Sequence, residues 1–255
     1  MGNIPGQGLP GAWNEAKQLR FSSNTFLDMK LKTLICLSVS SQIPCNMIGY
    51  FEKNAAIVND ISIQQQYEAV TITAILRHWS TVLNGSQIDK TEFKKGVDKI
   101  MVHVKKMMDE LDNKIPKEDM FLVMPTSPEE AYLDIEKTLG HVPIFFQVFP
   151  KESISAAWSE FKGIQLNPHT ALSGKEKELI GLAVAAQIPC DYCIYFHRAA
   201  AVLNNASALE MQEAISLAAT TRHWSVILNS PITDQTIFKK EANQMIANSV
   251  EHKIH

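Results

Sequence analysis

Cys190, Cys193 and His197 have the residue types and spacing of a thiol redox centre. On a helix turning about 100° per residue, all three fall within an arc of about 60° and share one face. A Cys-x-x-Cys pair is close enough to form a disulfide. An imidazole one turn beyond the second thiol is placed to exchange a proton with it. Pro189 ends one helix and opens the next, so the thiols sit in a first turn whose unpaired amides favour thiolate. Glu178, twelve residues before Cys190, lies in the run leading to the same turn and is a candidate carboxylate partner. Two other readings exist for the cluster: inert core thiols beside a buried histidine, or a zinc site with Glu178 as fourth ligand. Structural zinc sites draw ligands from two separate segments, which weighs against the latter. Ile194 directly after Cys193 excludes covalent c-type haem, which needs C-x-x-C-H.

The elements around these residues occur twice. Residues 12–95 and 157–240 align without a gap at an offset of 145, with roughly 36 identities in about 84 positions. AWNEAK (12–17) matches AWSEFK (157–162), and SSQIPCNMIGYFEKNAA (40–56) matches AAQIPCDYCIYFHRAAA (185–201). RHWSTVLN (77–84) matches RHWSVILN (222–229). A tandem duplication of a helical unit follows: residues 1–112, a linker 113–127, and residues 128–255. Ser173-x-x-Glu176, Ser207-x-x-Glu210 and Ser62-x-x-Gln65 read as capping boxes, and Asp89 and Asp234 as caps of the last helix of each unit. Only DMFLVMP (119–125) has a strand-like character, so the expected fold class is all-α. At the positions of Glu178, Cys190, Cys193 and His197 the first unit has Thr33, Cys45, Ile48 and Glu52. The thiol pair, imidazole and carboxylate are lost nearly together while the helices around them persist. One working redox site per chain is expected, with Cys45 and Cys36 as core residues. Arg-His-Trp-Ser (77–80 and 222–225) survives in both units and reads as structural or interfacial rather than catalytic.

The run E-x(11)-C-x-x-C-x-x-x-H, formed by Glu178, Cys190, Cys193 and His197, resembles the active-site signature of the alkylhydroperoxidase D-like (AhpD-like) branch of the carboxymuconolactone decarboxylase family. Both units resemble the helical unit of that family, and the two-copy arrangement resembles one of its subgroups. Tyr192 departs from the pattern, standing where the best-studied branch has a second histidine. The resemblance implies an oligomerising helical bundle with peroxidase or disulfide-reductase chemistry at the two cysteines. It also implies a lipoyl-bearing or other dithiol reductant and a peroxiredoxin as partners. Helix-start electrostatics favour Cys190 as the more acidic thiol. Contact with His197 favours Cys193 as the attacking thiol and Cys190 as the resolving one, with Glu178 completing the relay. Such exchange needs neither metal nor flavin, so no cofactor is expected. The other classes are a non-enzymatic redox sensor or binding scaffold, and a lyase of the family's decarboxylase branch, which does not depend on a thiol pair.

Composition narrows the field. The 255 residues are 45% apolar and 20% charged with a net charge of −3, enough to bury a core and without the basic stripe that nucleic acid requires. Four cysteines are too few for a secreted disulfide scaffold. MGNIPGQGLPGAW lacks the basic and apolar regions of a signal peptide and the Ser or Thr of a myristoylation site. The uncharged stretch Thr33–Phe51 is interrupted by Ser38, Ser40, Ser41, Gln42, Pro44 and Asn46, which suits a buried helix and a turn rather than a membrane span. A cytoplasmic protein is expected. The terminal helices, Asp89 to about Asp112 and Asp234 to about His252, carry apolar stripes such as Ile100, Val104 and Met108. A pseudo-dimeric chain with such faces leads to the expectation of a homotrimer, with a dimer second.

Overall fold

A computed structural model of the chain describes residues 8–110 and 119–253. Residues 113–118 of the expected linker, Asp112 and the first seven residues lie outside the described residues. Among the described residues the fold is all-α, with thirteen α-helices and no strand. The first unit comprises α1 (Gly8–Leu19), α2 (Met29–Gln42), α3 (Asn46–Val58), α4 (Ile63–Gly85) and α5 (Lys90–Glu110). Helix α6 (Asp119–Leu122) falls in the expected linker, 113–127. The second unit, 128–255, opens with α7 (Pro128–Leu139) and α8 (Ile144–Gln147) and continues with α9 (Ile154–Glu160), α10 (Gly174–Gln187), α11 (Asp191–Leu203), α12 (Ala208–Leu228) and α13 (Gln235–Lys253). Both ends of α2 and α10, and of α3 and α11, fall 145 residues apart, as do the starts of α4 and α12 and of α5 and α13.

Local chemistry sets these boundaries. Ser62, Ser173 and Ser207 each close a full capping box, with Gln65, Glu176 and Glu210 returning the bond to the cap's own amide. Asp28 accepts from the Leu31 amide at 2.8 Å at the start of α2. Asp89 and Asp234 do the same for α5 and α13, accepting from Glu92 and Ile237 at 2.8 and 3.0 Å. The locally strand-like residues Met120–Met124 form no strand, in keeping with the expected all-α fold. The segment begins with the single turn α6, and no neighbouring strand exists among the described residues to take its backbone bonds. Phe121 stacks obliquely on the His169 ring instead.

The two units do not have separate cores. Helices α2 and α10 are buried on all sides along most of their length and pack on each other, with α4 and α12 each touching both. The last helix of each unit crosses over, α5 onto α11 and α13 onto α3. One contiguous apolar cluster runs from Leu27 to Ala218 through both copies. Each of its fully buried Leu or Ile side chains contributes about 1.5–3 kcal/mol.

A reciprocal polar contact locks the copies together. Lys177 is buried and donates to the carbonyls of Ile164 and Asn167 and to Thr170 Oγ1, each at 2.6 Å, while facing Glu68 at 3.1 Å. Glu68, on α4 of the other unit, also accepts from the amides of Ala171 and Leu172. The same arrangement recurs 145 residues away. Lys32 donates to Leu19 and Ser22 carbonyls and meets Glu213 at 2.9 Å, and Glu213 accepts from the amides of Phe26 and Leu27. Residue i of one copy contacts residue j of the other and the reverse, which is the signature of a two-fold interface, here built within one chain.

Candidate active site

The interlocked helices bring the four sequence-predicted residues into one buried cluster. Cys190 is the N-cap of α11, and its Sγ accepts from the Cys193 amide at 3.3 Å. The two cysteines are joined in a disulfide with Cα atoms 5.3 Å apart. That amide and the start of the helix favour negative charge on Cys190 sulfur when the bond is open. His197 lies one turn beyond Cys193 on the same helix, and Glu178 projects from α10. Glu178 Oε2 and His197 Nδ1 are 2.7 Å apart, with both side chains buried. This bond fixes the ring orientation and leaves Nε2 for chemistry. Among the described residues no three His, Cys, Asp or Glu side chains converge as metal ligands would.

Two further residues complete the cluster, and neither was singled out from the sequence. Gln165, in a π-helical segment Phe161–Leu166 that follows α9, donates from Nε2 to Glu178 Oε1 at 2.8 Å. Both oxygens of the carboxylate are therefore committed. Gly181, one turn after Glu178 on α10, gives the imidazole its space: a Cβ there would stand 2.4 Å from His197 Nδ1. Alignment of the copies carries the signal for both, since Gln165 faces Arg20 and Gly181 faces Cys36 in the first unit.

Tyr192 takes no part in this network. Its hydroxyl donates to the Ile88 carbonyl in the first unit, and its ring meets Phe93 edge-on, so it anchors α11 to the turn before α5.

Cys193 and His197 line a cavity of about 40 Å³, whose walls include Gln165, Phe196, Trp79 and Phe145. Cys190 is not in that wall. Trp79, the tryptophan of the first Arg-His-Trp-Ser, comes from α4, so the first unit closes the second unit's cavity. A larger cavity of about 480 Å³ shares Gln165 and Phe196 and reaches Glu178. Met101, Val104, Met107 and Met108 line it from α5. Of the apolar stripe of that helix, Ile100 is buried and Val104 half-buried against this cavity of their own chain, while Met108 at its rim is exposed.

The same cavity exists in the first unit with different chemistry. Arg20, Glu52, Ile48 and Cys36 occupy the positions of Gln165, His197, Cys193 and Gly181. Arg20 forms a bidentate pair with Glu52, donating from Nε and Nη2, and Nη2 also donates to Thr33 Oγ1 at 3.0 Å. Burial pushes the Cys36 thiol up to about 12, and the Glu52 charge adds to it. Cys45 is buried beside Met47, Ile48 and Leu228.

An all-α bundle with a disulfide at a helix start, beside a carboxylate-held imidazole, defines the class of helical Cys-x-x-Cys proteins. Residues 153–230, which contain Gln165, Glu178, Gly181, Cys190, Cys193 and His197, match the model of the carboxymuconolactone decarboxylase family. The family includes alkylhydroperoxidases and decarboxylases. No curated protein and no solved structure matched the chain. No helix among the described residues is long and apolar enough to cross a membrane.

Proposed function

We propose that the chain is a thiol-dependent peroxidase that reduces organic hydroperoxides through Cys193 and Cys190. The observation that supports this most is the placement of a closed Cys190–Cys193 disulfide beside an imidazole held by a carboxylate, with only the second cysteine lining the cavity. In the reduced enzyme, Cys193 thiolate attacks the distal oxygen of R–OOH. The O–O bond breaks, Cys193 becomes a sulfenic acid, and the alkoxide takes a proton from His197 to leave as R–OH. Cys190 sulfur then attacks Cys193 sulfur, closing the disulfide and releasing the sulfenic oxygen as water. Two electrons have passed from the thiol pair to the peroxide. An external dithiol, such as a lipoyl group, returns them by thiol–disulfide exchange. Glu178 holds the His197 ring in place, and Gln165 holds Glu178. The apolar, methionine-rich wall of the larger cavity suits a bulky hydrophobic R group.

Titration of the reduced chain with cumene hydroperoxide tests this. Loss of two thiols per chain is expected, followed by turnover with dihydrolipoamide. Cys193→Ser should abolish thiol oxidation, whereas Cys190→Ser should halt after one turnover with a sulfenic acid trapped on Cys193. Glu178→Gln should slow the reaction about ten- to a hundredfold and shift its pH–rate profile. Unchanged thiols after peroxide would end the reading. Trapping on Cys190 in Cys193→Ser, with turnover retained, would reverse the roles of the two cysteines.

A further inference from the structure

Two cavities of very different size meet at the thiol cluster. The inner one, about 40 Å³, holds Cys193 and His197 in its wall, and the outer one, about 480 Å³, holds Glu178. Gln165 and Phe196 line both, so these two side chains stand between them. Gln165 is tied to Glu178 Oε1. Phe196 makes apolar ring contacts, edge-on to His197 and to Phe161 with centroids 5.4 and 6.3 Å apart, and is the side chain free to turn aside. The partition is a property of the repeated unit. In the first unit Arg20 and Phe51, the equivalents of Gln165 and Phe196, likewise line both an inner cavity of about 130 Å³ and an outer one of about 410 Å³. There, however, Arg20 is locked to Glu52 and no thiol pair exists.

The volumes set what each cavity takes. A water needs about 10–15 Å³ of such space, so the inner cavity accommodates about three heavy atoms, the number in a –CH2–O–OH end. The outer cavity has the size of sites that enclose a whole small molecule, and its α5 wall of Met101, Val104 and Met107 is apolar and adaptable. Resting on the peroxidase reading, we infer that the substrate is a primary, unbranched, long-chain alkyl hydroperoxide. Its –CH2–OOH end occupies the inner cavity at Cys193, its chain lies in the outer one, and Phe196 is the specificity-determining residue at the neck. A tertiary hydroperoxide brings a branched carbon to a place sized for a methylene, so it reaches Cys193 only by displacing Phe196. Hydrogen peroxide fits the inner cavity but draws nothing from the outer. Burial of a chain there is remote binding energy that holds the O–O bond against the thiolate.

The test is kcat/KM of the full-length chain, with dihydrolipoamide as reductant, for hydrogen peroxide and for n-butyl, n-decyl, tert-butyl and cumene hydroperoxides. All should oxidise the thiol pair. n-Decyl hydroperoxide should exceed both n-butyl and cumene hydroperoxide by at least about tenfold, since even one methylene in an apolar pocket discriminates by about that much. Phe196→Ala should open the neck and bring cumene within about threefold of n-decyl hydroperoxide. Met107→Trp, which fills the outer cavity, should lower the n-decyl efficiency relative to that of hydrogen peroxide by at least about fivefold. Equal efficiencies across the series would overturn this inference and leave the peroxidase reading standing. So would a primary-over-tertiary preference that survives Phe196→Ala undiminished. Thiols untouched by every hydroperoxide would end the peroxidase reading, and this inference with it. If Phe196→Ala fails to fold, Phe196→Leu should narrow the same ratio, and the parent series and Met107→Trp still decide.

Discussion

At the scale of single residues, the site depends as much on what is missing as on what is present. Gly181 is needed because the His197 ring occupies the volume that any Cβ would fill. Gly181→Ala should push the imidazole off Glu178 and lower peroxide turnover by at least about tenfold, since the proton transfer we propose depends on ring position. Near-parent turnover in that variant would show that the ring has room elsewhere. The thiols outside the pair should be silent for the opposite reason, because they are buried without a base. Cys36, held up at about 12, should escape alkylation by iodoacetamide at neutral pH in the native chain. Cys45→Ser should leave turnover within about twofold, and a tenfold loss with intact folding would give the first unit a redox role. Cys190, Cys193, His197 and Glu178 were legible because helix geometry converts their spacing into one face and one adjoining turn. Gln165 and Gly181 were not. Glutamine has no titratable group to draw attention, and a glycine inside an apolar helix advertises nothing until the ring it accommodates is in place.

At the scale of elements, what is encoded nearby was readable and what is encoded across the chain was not. The capping boxes at Ser62, Ser173 and Ser207 pair residues three apart, so they could be read directly. The exchange of α5 and α13 between units leaves no local mark, nor do the buried pairs Lys177–Glu68 and Lys32–Glu213, whose partners stand more than a hundred residues apart. Those pairs tie stability to pH. On Glu213, burial alone would raise the carboxyl, but bonds from Thr25, Lys32 and the amides of Phe26 and Leu27 outweigh it and hold it below the ordinary value. A carboxylate depressed in the folded state stabilises fully above its unfolded value of about 4.3, and that contribution is lost as pH falls through the folded value. Glu213→Gln leaves Lys32 buried without its counter-charge and should cost about 3–5 kcal/mol at pH 7. The deficit should shrink below about pH 4 as the parent carboxylate protonates. Urea denaturation of both chains at pH 7 and pH 3.5 measures this, and a deficit constant with pH would remove Glu213 from the acid response.

At the scale of the whole molecule, the duplication has turned an interface into an interior. The reciprocal Lys–Glu contacts and the shared apolar cluster are what two separate units would bury on pairing, so one chain already contains a closed pseudo-two-fold pair. The covered part of the α5 stripe, Ile100 and Val104, argues for no neighbour, because it lines a cavity of its own chain. A different repeated feature does. Ile57 on α3 and Val202 on α11, 145 residues apart, are 71% and 58% exposed, so the pseudo-dimer presents an apolar side chain at the same place twice. A surface duplicated by the two-fold suits closed assembly, in which each chain offers two equivalent faces to its neighbours. Three such chains close a ring of six units, which is the arrangement we propose. Light scattering at micromolar concentration should return about three times 28.5 kDa. Ile57→Asp/Val202→Asp should bring the mass down to that of one chain while the helical signal stays unchanged. A dimer mass, or a single-chain mass for the parent, would leave the two side chains as isolated exposed residues and remove the ring.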